Sequence, residues 1–208
     1  MVEPAEGSNR RAAKGIRGAS ERPPVWLVRA MQGLTFLLGY KDALGGPVRF
    51  SEGSIADDLL VLLAANCGKH GIGVCREYPV KELGAKNSKE RIDLVALGLD
   101  ELGAAQQQVA CVEIKRFGTR TAYEDDLDKL AALRKKTGGV WRAYVLVVSS
   151  RKKPTRIVEG EGLAPKGIEL WTKAKKTRYA VRRVVRAVDT QDTESKRGYW
   201  AVLLEVTG

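Results

Sequence analysis

The run Ala143-Tyr144-Val145-Leu146-Val147-Val148 is apolar at every position and has the length of a strand. A strand with one wet face alternates between apolar and polar residues; one without alternation needs cover on both faces. Such a strand belongs inside a sheet with helices packed above and below, so this run points to a layered α/β protein.

The remaining patterning agrees. Helical spacing over 25–38 sets Trp26, Leu27, Ala30, Leu34, Leu37 and Leu38 along one side. A second helix over 51–66 puts Ile55, Leu59, Leu62 and Leu63 on one face, with Gly68 just past its end. Strand-like runs follow over 73–80, 91–99 and 109–116, the last two joined by a loop centred near Gly103. Thr121 with Glu124 reads as a capping box, opening a helix whose stripe is Tyr123, Leu127, Leu130 and Leu133 and which ends near Gly138. Beyond the apolar run, 151–176 reads as basic loop, and 179–188 and 198–206 read as the strands of a hairpin. The expected fold is an α/β sandwich on a central mixed sheet, with an αβββαβ core, an added N-terminal helix and a C-terminal β-hairpin. Residues 1–24 read as a disordered basic tail and 25–208 as one domain, with its core at about 51–150 and a basic extension over 151–208.

Charge is unevenly placed. The 208 residues carry a formal net charge of +11. Residues 1–50 hold 8 Lys/Arg against 4 Asp/Glu, residues 151–208 hold 14 against 7, and the stretch between holds 14 of each. The excess thus lies in the flanks, and an excess of this size favours a polyanion through counterion release. Lys152, Lys153, Lys175, Lys176, Arg182 and Arg183 are the flank residues expected to hold a nucleic-acid backbone, with Trp171 among them as a stacking surface. A charged, solvated sheet edge is the other reading of the same residues.

Several classes are disfavoured. One His excludes His-rich zinc sites, and His70, beside Gly68 and Gly71, reads as a solvated residue at a helix end. Three Cys with no C-x-x-C pair argue against a disulfide framework and for a reducing, cytoplasmic setting. Residues 1–24 lack the apolar stretch of a signal peptide, and 25–40 is short for a membrane span and carries Arg29 and Gln32, so no membrane partner is expected. Lys135-Lys136-Thr137-Gly138-Gly139 lacks the full phosphate-loop pattern.

The chemistry concentrates in Arg91-Ile92-Asp93-Leu94-Val95-Ala96-Leu97 and Val109-Ala110-Cys111-Val112-Glu113-Ile114-Lys115-Arg116, where charges sit within apolar strands. Burying them is costly unless they pair or bind a cation. In a hairpin centred on Gly103, Asp93 falls opposite Glu113, with Cβ atoms about 5 Å apart and both carboxylates within reach of one divalent ion. Glu113 and Lys115, two apart, share a face, while Ile92, Leu94, Val112 and Ile114 are expected to build core on the other. Two carboxylates suit hard Mg²⁺, and a neighbouring ammonium can offset charge that builds on phosphorus.

Asp93 followed by Glu113-Ile114-Lys115 in an apolar strand resembles the PD-(D/E)XK nuclease superfamily, over about residues 51–150. The resemblance implies a restriction endonuclease-like fold and a Mg²⁺-dependent DNA endonuclease, with Mn²⁺ able to substitute. It implies that Asp93, Glu113 and the Ile114 backbone carbonyl hold the metal, that Lys115 orients or activates the attacking water, and that Glu52 on the preceding helix assists. Ile92 stands where the family often has Pro. Arg116 and Arg120, just past the Glu-x-Lys strand, are placed for the scissile backbone, and Glu77 is a weaker candidate from the first strand. Cutting both strands usually takes two sites, which points to a homodimer; the 25–38 helix is a candidate interface unless it docks on its own core. The alternative is a non-catalytic DNA-binding or assembly protein on the same scaffold, and an RNA-directed nuclease is a third reading.

Overall fold

The apolar run becomes the middle strand of seven. A computed structural model of the chain describes residues 22–45, 50–84, 89–117, 120–150, 154, 157, 169–187 and 198–208. The elements are α1 (Val25–Gly45), α2 (Glu52–Cys67), β1 (Ile72–Pro79), β2 (Arg91–Leu99), β3 (Ala105–Arg116), α3 (Arg120–Thr137), β4 (Arg142–Ser150), β5 (Glu169–Trp171), β6 (Arg178–Ala187) and β7 (Tyr199–Val206). The strands lie in the order β1-β2-β3-β4-β7-β6-β5. All neighbours pair antiparallel except β3 and β4, which run parallel and are linked through α3. The protein is therefore α/β with a mixed sheet.

Side-chain alternation along β4 divides the core into two layers. Tyr144, Leu146 and Val148 join a cluster with α1 and α2, whereas Ala143, Val145 and Val147 join one with α3. Leu146 is fully buried, and truncating such a side chain to Ala costs about 2–5 kcal/mol. The apolar side of α1 (Trp26, Leu27, Ala30, Met31, Leu34, Leu38) is buried in the first layer, so this face serves the chain's own core and is not an interface for a second copy. None of the described helices is long and apolar enough to cross a membrane.

Local chemistry explains the boundaries. Ser51 caps α2: its Oγ accepts from the Ser54 N–H at 3.0 Å while Ser54 Oγ accepts from the Ser51 N–H at 3.1 Å. Ile55, Leu59 and Leu63, spaced by four, then face the sheet. At the end of α3, Gly138 takes φ +62°, and the Gly139 N–H reaches the Arg134 carbonyl at 3.1 Å, closing the helix in a Schellman-type turn.

Several expectations shift. The 25–38 helix continues to Gly45. Residues 1–21 lie outside the described residues, and Arg22 is held to the sheet through its carbonyl, which accepts from Arg142 Nη1 at 2.9 Å. α3 begins at Arg120, so Thr121 falls inside it and is not its cap, and Glu124 instead accepts from the Lys173 N–H at 3.1 Å. The supposed loop over 151–176 contains β5, three residues too short for a periodic signal. Ile92 packs with Val80, Leu83 and the α3 layer, leaving Leu94, Val112 and Ile114 in the other one.

The hairpin of β2 and β3 reaches the expected register by an unexpected route. Its turn has Leu99 opposite Ala105, held by Asp100, whose Oδ1 accepts from the Leu102 and Ala104 N–H groups, and by Gly103 at φ +81°. The turn is thus centred on Leu102, and register shifts that leave Gln106 and Val109 unpaired on β3 bring Leu94 opposite Val112. The paired register ends at Leu94 and Val112, and beyond it the Asp93 carboxylate accepts from the Ile114 N–H at 2.7 Å.

On the other side of β2, Glu77 falls between the pairs Arg76/Leu94 and Tyr78/Ile92 and has φ +52°. Its carbonyl accepts from Arg91 Nη1 at 2.8 Å. A non-glycine residue is strained there, by about 1–2 kcal/mol, and a β-branched one more so. Glu77→Val will lower the urea midpoint, whereas Glu77→Gly will leave it unchanged or raise it; equal losses in both would contradict this backbone.

Candidate active site

Asp93, Glu113 and Lys115 converge on the α3 side of the sheet, at the end of β3. Asp93 is fixed to the neighbouring strand, since its Oδ2 accepts from the Ile114 N–H at 2.7 Å. Ile114 is thereby tied to the site through its backbone, while its side chain is core. Glu113 has only 6% of its side chain exposed, and its Oε1 accepts from Lys129 Nζ at 2.8 Å. Lys115 lies 3.2 Å from Asp126 Oδ2 and 3.6 Å from Glu52 Oε2. Glu52, the first residue of α2, reaches the strand end from the opposite layer, and its Oε1 accepts from the Arg116 N–H at 3.1 Å.

Two members escaped the sequence reading. Asp126 and Lys129 project from α3 toward β3, and both are half-buried. The signal was available: Asp126 is three residues after Tyr123 and four before Leu130, and Lys129 is four before Leu133. Each therefore borders the apolar stripe of an amphipathic helix, where a charge needs a partner on the surface it faces.

The electrostatics follow from burial. Desolvation pushes the Glu113 carboxyl from 4.5 up to about 8; the Lys129 hydrogen bond opposes this, and the Asp93 charge adds to it. Burial also raises Asp126 above the usual carboxylate range, against the pull of Lys115 and Lys129. Burial works to lower Lys115, but Asp126, Glu52 and Glu113 outweigh it and hold the ammonium above the ordinary lysine range. Lys129 behaves alike, with Glu113 as its chief support. Lys115 is thus a firmly protonated group, suited to orienting and neutralising and unsuited to abstracting a proton.

Four acids (Glu52, Asp93, Glu113, Asp126) gather around two ammonium groups (Lys115, Lys129), so acidic groups outnumber basic ones in the cluster. Asp126 Oδ2 is shielded from solvent, with the Lys115 ammonium 3.2 Å away. An all-oxygen donor set and an excess of acids over ammonium groups fit a hard divalent cation. Among the described residues, no three His, Cys, Asp or Glu side chains stand in a metal-holding arrangement; Glu113 is turned to Lys129.

The nucleic-acid candidates separate into three groups. Arg116 is exposed beside the site. Lys175 and Lys176 are exposed on the turn between β5 and β6, which is braced on α3 by the Glu124 bond to the Lys173 N–H and by Thr172 Oγ1, 3.1 Å from Asp128 Oδ1. Trp171, 51% exposed, stands next to it with the Arg178 guanidinium over its ring at 5.8 Å. Arg183 is exposed on β6. Arg182 is not a surface contact: Glu205 on β7 holds it at 2.5 Å and holds Arg142 as well, at 2.6 Å, in a largely buried triad. Lys152 and Lys153, and the side chain of Arg120, lie outside the described residues.

Glu77 and His70 are exposed, the latter in a single helical turn after α2. Asp57 pairs with Arg76 and Asp58 with Lys41. All three cysteines are free; burial pushes the Cys67 thiol up to about 11 and raises Cys111 further. Compared with protein-family models, curated proteins and solved structures, the chain matches none of them.

The raised Glu113 carboxyl has a thermodynamic consequence. Between 4.5 and about 8 the native group binds more protons than the unfolded one, so its contribution to stability declines as pH rises across that window. Glu113→Gln removes the cost and keeps an acceptor for Lys129. The melting temperature of the variant minus that of wild type will therefore grow from about pH 5 to about pH 8. A difference that stays flat would mean that Glu113 is not desolvated as described.

Proposed function

We propose that this chain is a Mg²⁺-dependent DNA endonuclease of the PD-(D/E)XK type, with Mn²⁺ able to replace Mg²⁺. The observation that carries the reading is the convergence of Asp93, Glu113 and Lys115 in one half-buried, acid-rich cluster at the end of β3. The order α2-β1-β2-β3-α3-β4 and the mixed sheet support the restriction endonuclease-like fold.

In this reading Asp93 and Glu113 hold the metal, with Asp126 and the Ile114 carbonyl as further oxygen donors. A metal held there would supply Lewis-acid polarisation of the phosphoryl group and activation of a water. The protein's own residues do the rest. The strand backbone keeps Asp93 in place through the Ile114 N–H, and Asp126 and Glu52 hold Lys115 as an ammonium beside the carboxylates. From there it orients a water and offsets charge on the phosphate. Arg116 and the braced Lys175/Lys176 turn hold the DNA backbone, and cutting both strands calls for a second copy of the chain.

A non-catalytic DNA-binding protein on the same scaffold is the second reading. The Lys129–Glu113 ion pair favours it, because a carboxylate already neutralised is what a structural salt-bridge network looks like.

Incubation with Mg²⁺ or Mn²⁺ and duplex, single-stranded and branched DNA, with RNA alongside, separates these readings. Cleavage by wild type that falls at least ~100-fold in Glu113→Ala and in Lys115→Ala supports the enzyme. Binding with no cleavage of any substrate would establish the binder. Both readings share an electrostatic interface, so DNA affinity will fall steeply with salt, and Lys175→Ala and Lys176→Ala will each reduce the slope of log K against log[salt] by about 1. An unchanged slope would remove this turn from the interface.

A further inference from the structure

The two lysines of the cluster are not equivalent, and the difference assigns Lys129 a role. Lys115 lies near two acids, Asp126 and Glu52, and keeps both if Glu113 turns elsewhere. Lys129 holds Glu113 itself, at 2.8 Å, with the Arg91 carbonyl at 3.4 Å as a weaker contact and the Asp126 and Glu90 charges as further support. The partners also differ in their access to water: 32% of the Lys129 side chain is exposed against 6% of Glu113. A lysine head on a four-carbon stem can swing into solvent at little cost, whereas the buried carboxylate cannot follow it. Ionised Glu113 therefore needs a cation beside it, and Lys129, the more exposed partner, is the one that can leave.

We propose that Lys129 is a resident counter-cation that a divalent metal ion displaces from Glu113. The inference rests on the metal-dependent reading above and goes beyond it, because it states what occupies the carboxylate beforehand and what sets the metal concentration required. Lys129 stabilises the metal-free fold by neutralising Glu113, and by the same contact weakens metal binding. Exchange of one ammonium for one divalent ion leaves the cluster less negative, while Lys115 stays in place beside the carboxylates. The ion pair that makes the site resemble a structural salt bridge thus becomes the first step of metal loading.

The test is calorimetric titration of the full chain with Mn²⁺ in the absence of nucleic acid, for wild type, Lys129→Met, Lys129→Gln and Glu113→Gln, together with melting temperatures with and without Mn²⁺. Met keeps the length of the side chain without its charge, and Gln keeps a donor for Glu113 should Met fold poorly. Both Lys129 variants will bind Mn²⁺ at least ~10-fold more tightly than wild type, melt lower than wild type without metal, and gain more on adding it. Mn²⁺ binding by the Lys129 variants alone would support displacement still more strongly. A residue that merely braces α3 would lower the melting temperature and leave affinity unchanged or weaker, and that result overturns the proposal. Binding by wild type that is lost in Glu113→Gln without any gain in the Lys129 variants overturns the exchange and leaves the metal-dependent reading standing. Absence of Mn²⁺ binding in wild type and variants alike overturns both.

Discussion

A single desolvated carboxylate organises this protein's chemistry. Glu113 lies within a strand whose neighbours on both sides are core, so its charge is almost removed from water. Such a group must be neutralised, paired or given a cation. Every other member of the cluster can be understood from that need: Lys129 meets it directly, Asp93 and Asp126 aggravate it, and Lys115 moderates it from one residue pair further along β3.

The fold makes the cluster by ordinary means. Parallel pairing of β3 with β4 requires a crossover, and the crossover is α3, which lays one face of an 18-residue helix over both strands. Leu127 and Leu130 fill that interface with fully buried aliphatic contact, and Asp126 and Lys129 border it. The site is therefore built from a strand, a hairpin partner and a helix that the core already fixes. Glu52 joins from the other layer because α2 starts, at the Ser51 cap, next to the end of β3.

Much of this was legible in the sequence. The apolar run gave the covered central strand because full burial leaves no alternation to misread, and helical spacing gave α1 to α3. The β2–β3 register was legible as far as Leu94 and Val112, for a partly wrong reason: the turn is centred on Leu102 rather than Gly103, and two register shifts on β3 make up the difference. Bulges leave no pattern in a single sequence, and neither does a three-residue edge strand such as β5. Arg182 was misread because alternation tells which face a side chain takes but not that Glu205 awaits it on the adjoining strand. Asp126 and Lys129 border the apolar stripe of α3 without belonging to it, so the stripe alone does not mark them.

The most direct measurement is anomalous diffraction from crystals of the wild-type chain soaked in Mn²⁺. A peak within about 2.2 Å of carboxylate oxygens of both Asp93 and Glu113, with the Lys129 ammonium moved off Glu113, is the predicted result. Clear density for Lys129 still bonded to Glu113, with no peak between the two acids at saturating Mn²⁺, would contradict it and leave a buried salt-bridge network in a basic α/β protein.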